Sequence, residues 1–195
     1  MSFIPPPARL PFLPRVLLRM VERRMGKPLE ANRLLSWYPR AFFGSGIMEA
    51  LVAHDEAEVP LRLLALVRIY TSFLVSCPFC IDLNARELSR KGITEQEIRA
   101  LRGLVPLEEV PTFSPAERAA LAYIHGMCQT PIEIREHAVD EMKRFFSPRG
   151  FVIVTSTCAQ VNFWTRQIQA LGVAPAGFSE SCSILDLDAY RTLKR

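Results

Sequence analysis

Apolar residues in this chain return at intervals of three and four far more often than at intervals of two. That is the spacing of a buried helix face rather than of a half-buried strand. In residues 12–25, Leu13, Val16, Leu17, Met20 and Val21 form an apolar face while Arg15, Arg19 and Arg23 recur every fourth residue on another. The most apolar stretch, Leu61 to Val75, is interrupted only by Arg62 and Arg68. Punctuation between the periodic segments is helical too. Gly92 closes one helix, and Ile93, Thr94, Glu97 and Ile98 follow as a capping box with its hydrophobic staple. Ser114-Pro115-Ala116-Glu117 repeats the box with proline at the first helical position, and Ser147-Pro148 is a third start of this kind. The pattern predicts helices at 12–25, 39–53, 57–75, 78–91, 95–102, 115–128, 135–146, 148–171 and 186–193. There are only nine glycines, no βαβ pattern, no fixed-period repeat and no low-complexity linker, so the expected class is all-α. The expected organisation is an N-terminal arm over 1–38, a helical domain over 39–178 and a tail over 179–195.

Composition narrows the class without changing it. With 195 residues, 49% hydrophobic and 23% charged, the chain suits one soluble domain able to bury a core without staples. Five cysteines are odd in number and too dilute for a disulfide framework. The net charge of +4 is local: eight basic residues against two acidic ones leave residues 1–40 at +6 and the remainder at −2. No basic patch continues beyond the arm and no reading module is visible, so nucleic acid is not an expected partner. Prolines 5, 6, 7, 11 and 14 break any signal-peptide core, and Leu61 to Val75 falls short of a membrane span. The expectation is a cytoplasmic protein with reduced thiols. The amphipathic arm itself reads either as a membrane-surface helix or as a strap on its own body or a neighbouring subunit. The absence of a second membrane signal favours the strap.

The chemistry concentrates in Cys77-Pro78-Phe79-Cys80-Ile81-Asp82-Leu83-Asn84. If this segment starts a helix, the Cα atoms of Cys77 and Cys80 stand ~5 Å apart, within the reach of a disulfide. A helix N-terminus also favours the thiolate, and Pro78 suits such a start. Three readings compete: a zinc half-site, two inert buried thiols, or a redox-active dithiol. Zinc would need two further ligands, whereas Cys128, Cys158 and the three histidines are scattered. Cys158, among Val152, Val154 and Val161, reads as a core thiol, and Cys128 and Cys182 carry no assigned role.

The wider order of motifs favours the dithiol. A long apolar helix leads into C-x-x-C, then Gly92-Ile93-Thr94-Glu95, then Phe113-Ser114-Pro115-Ala116-Glu117-Arg118-Ala119-Ala120-Leu121. Phe146-Ser147 and Asn162-Phe163-Trp164-Thr165-Arg166 complete the series. From Pro39 to Gly172 this resembles the carboxymuconolactone decarboxylase superfamily, in particular its AhpD-like alkylhydroperoxidase branch. The resemblance implies an all-α fold with the CxxC at a helix N-terminus, assembled as a homo-oligomer, a trimer or hexamer. It implies a thiol-dependent hydroperoxide or disulfide reductase that needs no metal, haem or flavin. The dithiol would be recharged by a thiol reductant protein or a lipoyl-type donor. By resemblance Cys80 attacks the peroxide and Cys77 resolves the sulfenic acid.

The family's proton relay departs here. Its histidine falls on Asn84, and its glutamate falls on Ala65, with Leu63 and Val67 at the neighbouring registers. Asn84 lies close to Cys80 on an ideal helix and could donate to a thiolate, but it cannot act as a base. Asp82 lies on the opposite face, to be read as a solvated or capping carboxylate, or as a group that serves the site only through a neighbouring element. Glu87, His54 and Glu56 are looser candidates. Alternatives from other classes remain a non-catalytic redox sensor or binding module, or a lyase of the decarboxylase type.

Overall fold

In the computed structural model, residues 2–52 and 58–179 are described. Nine α-helices occur among them: α1 (Phe12–Met25), α2 (Glu30–Leu35), α3 (Pro39–Leu51), α4 (Leu61–Leu74), α5 (Pro78–Ala85), α6 (Glu95–Leu101), α7 (Pro115–Met127), α8 (Glu136–Phe145) and α9 (Pro148–Ala170). Single 3₁₀ turns at Ser89–Lys91 and Leu107–Glu109 complete the set, and no strand is present among the described residues, as the all-α expectation required. Among the described residues no helix is long and apolar enough to cross a membrane.

Helix α4 is the axis of the molecule. Nine of its fourteen residues are buried, and it packs against α9, α5 and α7. Leu66 and Ile69 of α4 meet Ile81, Leu121, Ile124, Met142 and Val154 in the main core, all essentially without solvent contact. An apolar sequence interrupted by two arginines therefore folds as a core helix, and each arginine finds acidic or amide partners. Arg68 pairs with Glu49 at 3.5 Å and donates to Gln160 at 3.0 Å.

Arg62 does more. Both predicted capping boxes form, with Thr94 and Glu97 starting α6 and Ser114 and Glu117 starting α7. Each box glutamate holds its own N-cap N–H with one oxygen and Arg62 with the other. Arg62 also donates to the Gly92 carbonyl. One guanidinium thus pins the starts of two helices to the start of a third. Glu97 is fully buried. Burial pushes its carboxyl up, but hydrogen bonds from Thr112, Thr94 and Arg62, with the Arg62 charge, outweigh that and hold it below its ordinary value.

Several boundaries differ from the pattern. The predicted helix at 57–75 begins at Leu61, because Pro60 stands at its N-cap with extended ψ. The predicted helix at 78–91 ends at Ala85 and resumes as a 3₁₀ turn that stops at Gly92, whose φ of 68° is left-handed. Helix α2 was not expected; six residues are too few to show a period. The predicted helix at 186–193, Cys182, His54 and Glu56 lie outside the described residues.

Removing the arginine should be costly. Arg62→Ala strands a buried carboxylate and should cost about 3–5 kcal/mol in urea unfolding. For Glu97, a folded-state value below the ordinary one means stability present above that ordinary value and lost as pH falls through the lowered one. The Glu97 contribution should therefore be lost at acid pH, below about 4.5, and that acid step should shrink in Glu97→Gln measured by denaturation at pH 3 and 7.

Candidate functional site

The dithiol is set by how α4 ends. The Ser76 N–H donates to the Phe73 carbonyl at 2.9 Å and the Cys77 N–H to the Ser72 carbonyl at 3.1 Å, the two bonds of a Schellman stop. Glycine usually takes the left-handed residue of this motif; here it is Ser76, with φ of 49°. The turn delivers Cys77 to the N-cap of α5 with Pro78 in its first turn. Cys77 Sγ then accepts the Cys80 N–H at 3.4 Å, where a serine or aspartate oxygen would sit in an ordinary cap.

The two sulfurs stand 2.7 Å apart as free thiols, against ~2.05 Å in a bonded pair. Oxidation needs little movement of the backbone. The contact with Cys77, together with burial, pushes the Cys80 thiol up. A single negative charge on the pair is held best at Cys77, the sulfur at the N-cap that already accepts a backbone N–H. Access favours the other atom, since Cys77 is 0% exposed and Cys80 3%.

Segments before α3 and after α9 enclose the pair. Leu29, Ala31 and Leu34 from the arm and Val173 and Phe178 from beyond α9 pack with Cys77, Phe79 and Cys80 in one apolar cluster. Phe178 meets the Phe79 ring edge-on at 6.1 Å. Segment 176–179 is held from both sides. Asp82 accepts the N–H groups of Ala176, Gly177 and Ser179 at 3.0, 2.7 and 2.9 Å. Lys27 donates to the Ala176 and Gly177 carbonyls and lies over the Phe178 ring.

These contacts settle where the sequence-derived residues sit. Cys77 and Cys80 come together. Asp82, fully buried, is neither a solvated group nor an N-cap; its two oxygens are occupied by the backbone of the C-terminal segment. Asn84 donates to the Ser72 hydroxyl at 3.1 Å instead of to a sulfur, and Ser72 passes the chain on to the Arg68 carbonyl at 2.8 Å. Ala65 packs against the main core, and Glu87 is exposed. Lys27, Ser72 and Ser76 were not singled out in the sequence. The first two gain their roles from distant segments, and the third lacks the glycine that would have flagged its turn. Among the described residues no group of three or more histidines, cysteines and carboxylates could hold a metal.

Comparisons with known proteins agree with this architecture. Residues 45–125 match the carboxymuconolactone decarboxylase family, as the order of motifs led us to expect. The protein YdfG of Bacillus subtilis (strain 168) is 27% identical over 143 residues, which cover 72% of this chain and 95% of that protein. Among solved structures, the debrominase Bmp8 bound to 2,3,4-tribromopyrrole shares the fold with a TM-score of 0.76 at 17% identity, covering 95% of this chain and 97% of its own. A peroxidase-related protein with the alkylhydroperoxidase AhpD core, from Ralstonia eutropha, gives 0.72 at 18% identity over 89% and 92% of the two chains.

Two changes probe the enclosure. Ser76→Gly should relieve the left-handed residue and raise stability by about 1 kcal/mol in urea unfolding, with Ser76→Val moving the other way. Asp82→Ala removes charge-assisted bonds worth about 1.5–3 kcal/mol each, so iodoacetamide should modify Cys80 at least about tenfold faster. An unchanged alkylation rate in a folded Asp82→Ala protein would show that segment 176–179 does not limit access.

Proposed function

We propose, from the match to the carboxymuconolactone decarboxylase family and from the enclosed dithiol, that this protein is a thiol-dependent reductase of small hydroperoxides or disulfides, with Cys77 and Cys80 as its redox centre. The observation that carries the reading is the pair of free sulfurs 2.7 Å apart at the N-cap of α5. The chemistry needs a nucleophile, a place for its proton and a resolving thiol, and the pair supports all three. Cys77, whose Sγ accepts an N–H, takes the proton of Cys80 as Cys80 Sγ attacks the peroxide. This local transfer replaces the family's relay, whose positions are Asn84 and Ala65 in this chain. The O–O bond breaks, the departing alkoxide takes a proton from solvent and leaves as the alcohol, and Cys80 becomes a sulfenic acid. Cys77 then attacks that sulfur, a disulfide forms and water departs. A thiol reductant protein or lipoyl-type donor returns two electrons and two protons.

Self-association belongs to the same reading. Phe12, Leu13 and Met20 of α1 are 68, 60 and 60% exposed, and a second copy of the chain would cover them.

The test is anaerobic reduction followed by stopped-flow oxidation with an organic hydroperoxide. Oxidation should consume two thiols per chain and link Cys77 to Cys80. Cys80→Ser should abolish the first step, while Cys77→Ser, which removes the proton acceptor together with the resolving thiol, should slow that step and leave the product as a sulfenic acid on Cys80. Because Cys80 is pushed up, the wild-type rate should climb with pH past neutrality. A rate independent of pH from 6 upward would overturn the proton transfer to Cys77. Inertness to hydroperoxides and disulfides, with dithiol-dependent bromide release from 2,3,4-tribromopyrrole, would move the reading to reductive dehalogenation.

A further inference from the structure

Two more cysteines meet beside Thr71 of α4. Cys128, at the C-terminal cap of α7, and Cys158, midway along α9, are thirty residues apart in sequence. Their sulfurs stand 3.7 Å apart, and both thiols are free. Asn162, one turn beyond Cys158, aims its amide at both sulfurs at 3.5 Å while bonding the Cys158 carbonyl at 3.1 Å. Thr71 of α4 donates to Cys158 Sγ at 3.5 Å. Inert core thiols do not need donors on both sulfurs. The pair is also asymmetric, for Cys158 is fully buried while Cys128 is only partly so.

We propose that Cys128 and Cys158 are a second redox-active thiol pair, with Cys128 as nucleophile and Cys158 as resolving thiol, oxidised by small hydroperoxides. This does not rest on the role given to Cys77 and Cys80. The Cys158 hydrogen bond brings Cys128 down to about 7 against burial, with help from Asn162, Thr71 and the Arg166 charge. The same hydrogen bond and burial push Cys158 up. Among the described residues, Arg166 from α9 and Tyr70 from α4 act on the pair, and Tyr70 is faced in turn by His125 of α7 and by Glu108. Burial pushes Tyr70 up to about 12, so it stays neutral beside the thiolate, with its hydroxyl 3.1 Å from His125 Nδ1. The negative end of α7 opposes a charge at Cys128. The donors of α9 and α4 offset it.

The step balances within the pair. Cys128 thiolate attacks the outer peroxide oxygen, the O–O bond breaks and the departing alkoxide takes a proton from solvent. Cys158 then attacks the Cys128 sulfenic acid, its proton and the hydroxyl leave as water, and an S–S bond forms. The sulfurs close from 3.7 Å to ~2.05 Å, within reach of side-chain rotation at a helix cap. An external dithiol restores the pair.

The experiment uses the full chain carrying Cys77→Ser and Cys80→Ser, so the first pair is silent. One equivalent of hydrogen peroxide or cumene hydroperoxide at pH 7 should remove two thiols. Tryptic mapping without reductant should then join peptide 119–135 to peptide 150–166. Alkylation of Cys128 should titrate near pH 7, and Asn162→Ala should move that midpoint toward ~8.5 and slow oxidation at pH 7 while leaving the pH 10 rate unchanged. A Cys128 midpoint already near 8.5, a sulfinic acid on Cys128 in place of the link, or a link to Cys182 would each overturn the proposal. Should the double serine variant misfold, the wild type treated with excess peroxide decides: loss of four thiols with both links supports a second pair, and a Cys77–Cys80 link alone sinks it.

Discussion

Burying α4 on nearly every side obliges each polar group on that helix to find a protein partner, and those partners organise the rest of the chain. Arg62 gathers the capping glutamates of α6 and α7. Arg68 draws in Glu49 of α3 and Gln160 of α9. Thr71 reaches Cys158, and Ser72 receives Asn84 from α5. A leucine helix without these groups would pack as well by area, but it would not specify which neighbours sit where. The cost of leaving any of them unpaired in the interior exceeds the small net gain of a hydrogen bond, which is why the arrangement is selective.

Where α4 stops, the same constraint sets the geometry of the candidate site. The Schellman turn satisfies the last carbonyls of α4 and in doing so rotates Cys77 into the cap of α5. A sulfur then serves where a cap oxygen would, so the proposed redox chemistry and the helix start share one atom. Sulfur accepts a hydrogen bond weakly, so the cap is poorer than serine would make it. The apolar cover from the arm and segment 176–179 compensates in packing and keeps bulk water from the pair. That cover is fastened by a buried carboxylate and a lysine acting on backbone groups.

The two thiol pairs differ in how they handle charge. Cys77 and Cys80 sit at the positive end of a helix, within one turn of each other. Cys128 and Cys158 sit at a negative helix end and rely on side-chain donors from two other helices. The first pair needs only a local fold; the second exists only when α4, α7 and α9 are docked.

Much of the local architecture was legible in the amino-acid sequence. Helix α1 spans the predicted residues, both capping boxes formed, and the CxxC stands at a helix start as its proline suggested. Such signals act between residues one to four apart, where geometry follows from the backbone alone. The tertiary structure decided the rest: that Glu97 and Glu117 share one arginine, that Asp82 grips segment 176–179, that Asn84 turns to Ser72, and that Cys128 finds Cys158. These partners lie twelve to ninety-seven residues apart. No periodicity encodes such distances, because they are set by which helix faces must be buried against which.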